Sequence, residues 1–157
     1  MNKMPAVLLS ITSVAVAGLI GGSYGPQRPR EAIWYASLRK PKYTPPGAAI
    51  GITWGVLETL LCVAGYRLLT KPASGVRDVA IGGWVATLAG LAGYPASFFG
   101  AKRLDASTAV AAAMFASTAT TAIAAERIDL PAAASMAPLA LWTGFATLLS
   151  EEIWRRN

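Results

Sequence analysis

The chain has 157 residues, of which 54% are hydrophobic and only 14% charged, so it lacks the charged surface of an ordinary soluble domain. Its formal net charge is +6, but the basic residues fall between apolar runs. This placement indicates that the basic residues set the orientation of the chain in the membrane and contact lipid headgroups, and it argues against nucleic-acid binding. The sequence contains no histidine and a single cysteine, Cys62, which excludes histidine-dependent catalytic triads, histidine metal sites and an intramolecular disulfide within this chain.

Five apolar runs are each long enough to cross a bilayer as a helix of about 20 residues. They cover residues 5–22, 48–69, 79–100, 106–125 and 130–149. Asp105 is a favourable N-cap for the fourth helix, and Pro131 suits the first turn of the fifth. Because the connections after residue 47 are short, the sequence predicts one all-α domain over residues 1–157, an integral membrane bundle of five transmembrane helices.

The first apolar run also permits a second interpretation, as a secretory signal peptide. Ala15-Val16-Ala17 resembles a small-residue cleavage site that follows a short apolar region. The apolar run continues beyond this site to Gly22, which favours a transmembrane helix.

Residues 23–47 form the longest polar interruption between the apolar runs. Pro41, Pro45 and Pro46 fix the backbone and bias the preceding residues toward extended geometry, which predicts a defined path for this loop. Its aromatic residues are of the type that settles at a membrane interface: Trp34, Tyr35 and Tyr43. We interpret the segment as a shaped lid over the bundle; the alternative is an interfacial hairpin with no role in ligand binding.

Lysine and arginine are distributed unequally between the two sides of such a bundle. One side holds five of them: Lys3, Arg67, Lys71, Arg77 and Arg127. The other side holds nine: Arg28, Arg30, Arg39, Lys40, Lys42, Lys102, Arg103, Arg155 and Arg156. Because cytoplasmic loops carry the excess of positive charge, the sequence predicts that the first loop and the C-terminal end are cytoplasmic.

Two blocks of sequence resemble a known family. The first comprises Trp34-Tyr35-Ala36-Ser37-Leu38-Arg39-Lys40-Pro41 and Tyr43-Thr44-Pro45-Pro46-Gly47, leading to Trp54. The second comprises Pro138-Leu139-Ala140-Leu141-Trp142, then Phe145-Ala146-Thr147 and Ile153-Trp154. On a chain with five predicted spans, these blocks resemble the TspO/MBR family of translocator proteins and tryptophan-rich sensory proteins, and the resemblance covers nearly the whole chain.

The resemblance implies a membrane translocator or sensor that binds porphyrin, haem or another flat hydrophobic molecule, including sterol-like and benzodiazepine-type ligands, in a pocket under the first loop. It implies a bacterial envelope membrane or the mitochondrial outer membrane, and no cofactor or metal. The positions that it carries over to the pocket lining are Tyr35, Trp54, Phe98, Trp142 and Ala146, with Pro41, Pro45 and Pro46 shaping the lid.

Two other functions stay open beside ligand binding. Some relatives promote light-dependent porphyrin breakdown, and the resemblance then makes Trp54 and Trp142 the catalytic residues. The remaining alternative is a small efflux or scaffold protein without affinity for tetrapyrroles. For the two tryptophans, packing in the core or at the membrane interface is the structural alternative to ligand binding.

Glu58 stands where relatives often carry an aromatic residue, one helical turn after Trp54. The separation of four positions places both side chains on one helix face. An intramembrane carboxylate usually faces the bundle interior or a cavity, so we expect Glu58 to line the ligand site beside Trp54. The alternative is a carboxyl group hydrogen-bonded to a neighbouring helix.

Small residues recur every four positions in the third predicted span. They form two stripes: Gly82, Ala86 and Gly90, and Ala89, Gly93 and Ser97. Such stripes allow two helices to approach closely, which predicts a homodimer through this span. Packing within a single bundle would use the same stripes.

Overall fold

The computed structural model describes residues 3–157 as six α-helices and one π-helical turn, with no β-strand among these residues. The elements are α1 (Met4–Gly22), α2 (Pro29–Ser37), α3 (Gly47–Leu69), α4 (Gly75–Pro95), the π turn (Ala96–Gly100), α5 (Leu104–Glu126) and α6 (Leu130–Arg156). Five helices are long and apolar enough to cross a membrane: α1, α3, α4 with the π turn, α5 and α6. The predicted all-α architecture with five spans is therefore confirmed.

The five long helices close a ring. Helix α1 packs against α3 and α4, α5 packs against α4 and α6, and α6 packs against α3. Leu61, Met136 and Leu139 are almost fully buried where these helices meet. Helix α4 also touches α3, and the ring leaves space along its centre toward the first loop.

The close approach of α1, α3 and α4 depends on Gly65. A Cβ atom at this position would lie 2.4 Å from the Trp84 ring and 2.7 Å from the Ser10 hydroxyl oxygen. The Trp84 indole donates to the Leu61 carbonyl at 3.0 Å, and the Ser10 hydroxyl donates to the Cys62 carbonyl at 2.6 Å. Two neighbouring helices are thus hydrogen-bonded to the backbone of α3, as small and polar residues permit in membrane bundles.

Asp129 joins α3 to α6 at the end of the bundle opposite the first loop. Its carboxylate accepts from the Arg67 guanidinium at 2.6 Å and from the Lys71 ammonium, and it caps α6 by accepting from the backbone N–H of Ala132 at 2.9 Å. The hydrogen bond from Arg67, with that from Lys71, holds the pKa of Asp129 well below its usual range. The buried carboxylate therefore stays ionised at neutral pH.

The first loop contains a helix, α2, within the segment that the sequence predicts as a lid. Helix α2 begins at Pro29, whose missing N–H costs nothing in a first turn, and Glu31 in that turn complements the helix dipole. These are ordinary signals of a helix start. They lie within a segment that is too short and too polar to span a membrane.

Three other boundaries differ from the predicted ones by two residues or more. Helix α4 begins at Gly75, upstream of residue 79, because the Ser74 hydroxyl accepts from the backbone N–H of Arg77 at 3.2 Å. The expectation that Asp105 caps α5 is wrong, since Arg103 occupies the cap position and Asp105 lies in the first turn, bound to Arg103 at 2.7 Å.

Helix α6 is the third case, because it continues beyond residue 149 to Arg156. Its last turns carry two ion pairs four positions apart, between Glu151 and Arg155 and between Glu152 and Arg156. Such pairs support an exposed helix end that apolar periodicity alone does not mark. Pro131 lies in the first turn of α6, as predicted.

The small residues of α4 divide between the outside and the inside of the bundle. Gly82, Ala86 and Ala89 are exposed. Gly90 is buried, and a Cβ atom there would lie 2.8 Å from the Met114 side chain on α5. Packing within the bundle therefore explains why position 90 holds a glycine. Of this small-residue set, only the exposed residues offer a surface to a second chain.

Candidate ligand-binding site

A cavity of about 380 Å³ lies inside the ring beneath the first loop. Residues of all five long helices and of the loop line it, among them Gly18 of α1, Met114 of α5 and Gln27 of the loop. The lining is mainly apolar and aromatic, and the volume falls in the range of small-molecule sites. No lysine or arginine is among the described residues that line it.

Seven of the eight residues expected at the ligand site line this one cavity: Tyr35, Pro45, Trp54, Glu58, Phe98, Trp142 and Ala146. The eighth, Pro41, lies outside the lining and is buried in the loop. Its carbonyl accepts from both the backbone N–H and the hydroxyl of Thr44, at 3.1 and 2.7 Å. Pro46 precedes α3 and also lies outside the lining. These two prolines shape the loop without touching the cavity.

An aromatic cluster holds the first loop against the π turn. Trp34 meets Phe98 with ring centroids 5.3 Å apart, and Tyr35 meets Phe99 at 5.8 Å. The ammonium group of Lys40 lies 4.4 Å from the centroid of the Tyr35 ring. Burial in this cluster raises the pKa of the Tyr35 hydroxyl, which therefore stays protonated at neutral pH.

The π turn follows a proline, and this change of helix geometry shapes one wall of the cavity. Pro95 has no N–H, so the carbonyl of Leu91, one turn earlier, lacks its usual helical donor. Helix α1 comes very close here, since a Cβ atom at Gly21 would lie 2.5 Å from the Leu91 carbonyl oxygen. No motif in the sequence predicts Gly21, Leu91 or Pro95 at the site, although a proline near the end of a span was a usable signal.

Helix α6 contributes Trp142 to the opposite wall. Its ring centroid lies 5.5 Å from that of Phe145, which in turn contacts Tyr43 of the loop at 6.3 Å. The indole nitrogen of Trp142 is buried and has no hydrogen-bond partner among the described residues. An unpaired N–H costs free energy in an apolar setting, so this group is available to an acceptor on a ligand.

Glu58 lies near the middle of α3, on the cavity side. Its carboxyl group rests against α1 where Gly18 has no side chain: a Cβ atom at Gly18 would lie 3.2 Å from Oε2. No described residue forms a hydrogen bond or an ion pair with this carboxyl group. The alternative of a hydrogen bond to a neighbouring helix is therefore not observed in the part of the chain that is described.

Together these features define an integral, multi-pass α-helical membrane protein whose bundle encloses an aromatic cavity. Residues 9–155 match the model of the TspO/MBR family, and the chain belongs to that family. It is 31% identical over 127 residues to the translocator protein of Ovis aries, covering 79% of this chain and 75% of the relative.

Longer matches come from two further relatives. The translocator protein of Bos taurus is 28% identical over 156 residues, covering 98% of this chain and 90% of its own length. The tryptophan-rich sensory protein of Cereibacter sphaeroides is 30% identical over 149 residues, covering 95% of this chain and 91% of the relative. The family predicted from the two sequence blocks is confirmed.

Proposed function

We propose that this chain binds tetrapyrroles, with protoporphyrin and haem as the leading ligands, in the cavity beneath the first loop, and acts as a membrane translocator or sensor. One observation carries the proposal: the rings of Tyr35, Trp54, Phe98 and Trp142 line the same cavity. A flat ligand gains about 25 cal/mol for each Å² of apolar area that it buries against such rings, and stacking adds about 0.5–1.5 kcal/mol. Sterol-like and benzodiazepine-type molecules are further ligands of the same apolar class.

Metal-free porphyrin should bind at least as well as haem. The chain has no histidine, the common neutral axial ligand of haem iron. The affinity then comes from the face of the macrocycle and not from the metal.

The test is a spectral titration of the purified protein with protoporphyrin IX and with haem, using wild type, Trp54→Phe and Trp142→Phe. Trp154→Phe is the matched control, because Trp154 is exposed and lies outside the cavity lining. We expect saturable binding that weakens in the two cavity variants and is unchanged in the control. Equal affinity in all four proteins would remove both residues from the site.

A second candidate function is light- and oxygen-dependent breakdown of the bound porphyrin. It is favoured by the two indole rings, Trp54 and Trp142, at one cavity. Repeating the titration under illumination, with and without dissolved oxygen, separates the two functions. Breakdown requires loss of porphyrin absorbance that depends on light, oxygen and both tryptophans, whereas simple binding leaves the absorbance stable.

The orientation and the assembly of the chain belong to the same proposal. The unequal distribution of lysine and arginine supports a cytoplasmic location of the first loop and the C-terminal end. The membrane proposed with the family resemblance is a bacterial envelope membrane or the mitochondrial outer membrane. The exposed small residues Gly82, Ala86 and Ala89 of α4 support a homodimer through the third span.

A further inference from the structure

The polar groups that line the cavity fall into two sets. Some are already paired inside the protein: the Tyr94 hydroxyl bonds the Ser150 hydroxyl at 2.8 Å, and the Thr143 hydroxyl donates to the Leu139 carbonyl at 2.9 Å. Others have no hydrogen-bond partner among the described residues, and these include the Glu58 carboxyl group and the Trp142 indole N–H. The unpaired groups are the ones that a ligand can engage.

Glu58 is the only acidic residue among those described in the lining, and no basic residue there can neutralise it. On α3 it lies between Trp54, one turn before it, and Cys62, one turn after it, which is not hydrogen-bonded to it; on α1 it faces Gly18, which brings no side-chain donor. A carboxyl group at mid-helix in a membrane bundle is costly without a donor or a cation. Since the described protein supplies neither, a ligand in the cavity is the natural source of one.

Resting on the proposed function of this cavity, we propose that Glu58 selects the ligand: it favours planar aromatic molecules that carry a protonated amine, and it disfavours those that place a carboxylate beside it. The ammonium group donates to the Glu58 carboxylate while the aromatic body packs on Trp54 and Trp142. Charge-assisted hydrogen bonds are stronger than neutral ones, and two carboxylates at one apolar site repel each other. Trp142 adds an N–H donor for an acceptor elsewhere on the ligand.

The experiment uses three probes with one aromatic body: pyrenemethylamine, pyrenemethanol and pyrenecarboxylate. The full chain is held in nanodiscs of zwitterionic lipid, and binding is followed by energy transfer from tryptophan to pyrene. Partition of each probe into lipid is the same for every variant, so comparing variants with one probe cancels it. Glu58→Gln keeps the shape of the side chain and removes the charge. Glu126→Gln is the matched control, because Glu126 is exposed at the end of α5 and outside the cavity.

We expect Glu58→Gln to weaken binding of the amine by about tenfold, as for loss of a hydrogen bond to a charged group, with little change for the alcohol and tighter binding of the carboxylate. Glu126→Gln should behave as wild type with all three probes. Equal amine affinity in wild type and Glu58→Gln would overturn the selectivity.

Protoporphyrin IX, titrated in parallel, distinguishes failure of this inference from failure of the proposed function. If protoporphyrin binds while the amine shows no dependence on Glu58, the binding function stands and the selectivity is wrong. If neither protoporphyrin nor any pyrene binds, both are wrong. If only the amine binds, in a manner that depends on Glu58, the selectivity stands and tetrapyrrole is not the ligand.

Discussion

The side-chain amide of Asn157 forms two hydrogen bonds with the backbone of Arg39, one in each direction. The Asn157 Nδ2 group donates to the Arg39 carbonyl at 3.0 Å, and its Oδ1 atom accepts from the Arg39 N–H at 2.9 Å. The same Nδ2 group donates to the carbonyl of Ile153, in the last turn of α6, at 2.7 Å. The first loop over the cavity is thus fastened to the end of the helix that carries Trp142.

Removing this fastening should speed ligand exchange. Asn157→Ala deletes both hydrogen bonds to the loop, and because they are exposed we assign the pair about 1 kcal/mol, which corresponds to roughly a fivefold faster dissociation of protoporphyrin IX. Stopped-flow displacement measures this rate. Arg155→Ala is the control, since Arg155 is exposed and, among the described residues, pairs only with Glu151. The same dissociation rate in Asn157→Ala and wild type would show that this contact does not hold the loop.

Two glycines of α3 should respond in opposite ways to an added methyl group. Gly65→Ala forces a Cβ atom onto the Trp84 ring, and such overpacking costs about 1–3 kcal/mol. A Cβ atom at Gly55 would meet no described atom within 4 Å beyond its own stretch of helix, so Gly55→Ala should leave stability unchanged or raise it slightly. Thermal unfolding followed by tryptophan fluorescence compares them. If the two variants melt together, α1, α3 and α4 do not pack at Gly65 as described.

Asp129 should contribute stability that disappears in acid. Asp129→Asn keeps an acceptor for the Ala132 N–H but loses the charge that binds Arg67 and Lys71. Hydrogen bonds to charged groups are worth about 1.5–3 kcal/mol, and because the two cations are about a third exposed we expect the low end of this range.

The direction of the pH dependence follows from the lowered pKa of Asp129. The contribution of the carboxylate is complete above its unfolded pKa of about 3.9 and is lost as the pH falls through the lower folded-state value. The difference in melting temperature between wild type and Asp129→Asn should therefore be constant near neutral pH and shrink below about pH 4. Asp78→Asn serves as control and should show little difference, because the Asp78 carboxylate is exposed and lies 3.5 Å from the Arg77 guanidinium. A difference for Asp129→Asn that persists unchanged in acid would contradict this assignment.

The proposed homodimer should depend on the outer face of α4. Ala86→Leu places a bulky side chain on the exposed small-residue surface and keeps two helices apart, so the crosslinked dimer population in native membranes should fall severalfold. Ala116→Leu makes the same change on the exposed face of α5 and should have no effect. Substitution of Gly90 is less informative, because it would disturb packing against Met114 inside the bundle. Equal dimer populations for both leucine variants and wild type would exclude this interface.

The five spans could be predicted from the sequence because each is a long apolar run, and the bilayer sets the length that such a run needs. The ends of the helices were harder to predict. Helix α6 continues through Glu151 and Arg155 on the strength of ion pairs, and α2 lies in a polar segment, so neither carries a strong hydropathy signal. At Asp105, a favourable cap residue lies inside the helix, because its ion pair with Arg103 competes with capping.

The cavity could be predicted only where motifs or single unusual residues marked it. The aromatic residues at 54 and 142 and the carboxyl group of Glu58 were found in this way, and they do line one cavity. Gly21 and Leu91 were missed because α1 and α4 are apolar on nearly every face, so hydropathy does not reveal which side faces inward. Only the packing of the five long helices determines which side faces the cavity.

The most direct test of the central claim, that a tetrapyrrole occupies this cavity, is to fill the cavity from within. Ala146 lines it, and Ala146→Trp would place an indole in the space that the ligand needs. Ala137→Trp adds the same side chain to the exposed face of the same helix, and it serves as the control. The measurement is the affinity for protoporphyrin IX in proteins whose melting temperatures match that of wild type. We expect Ala146→Trp to lose binding almost completely while Ala137→Trp binds as wild type; undiminished binding by Ala146→Trp would place the ligand elsewhere.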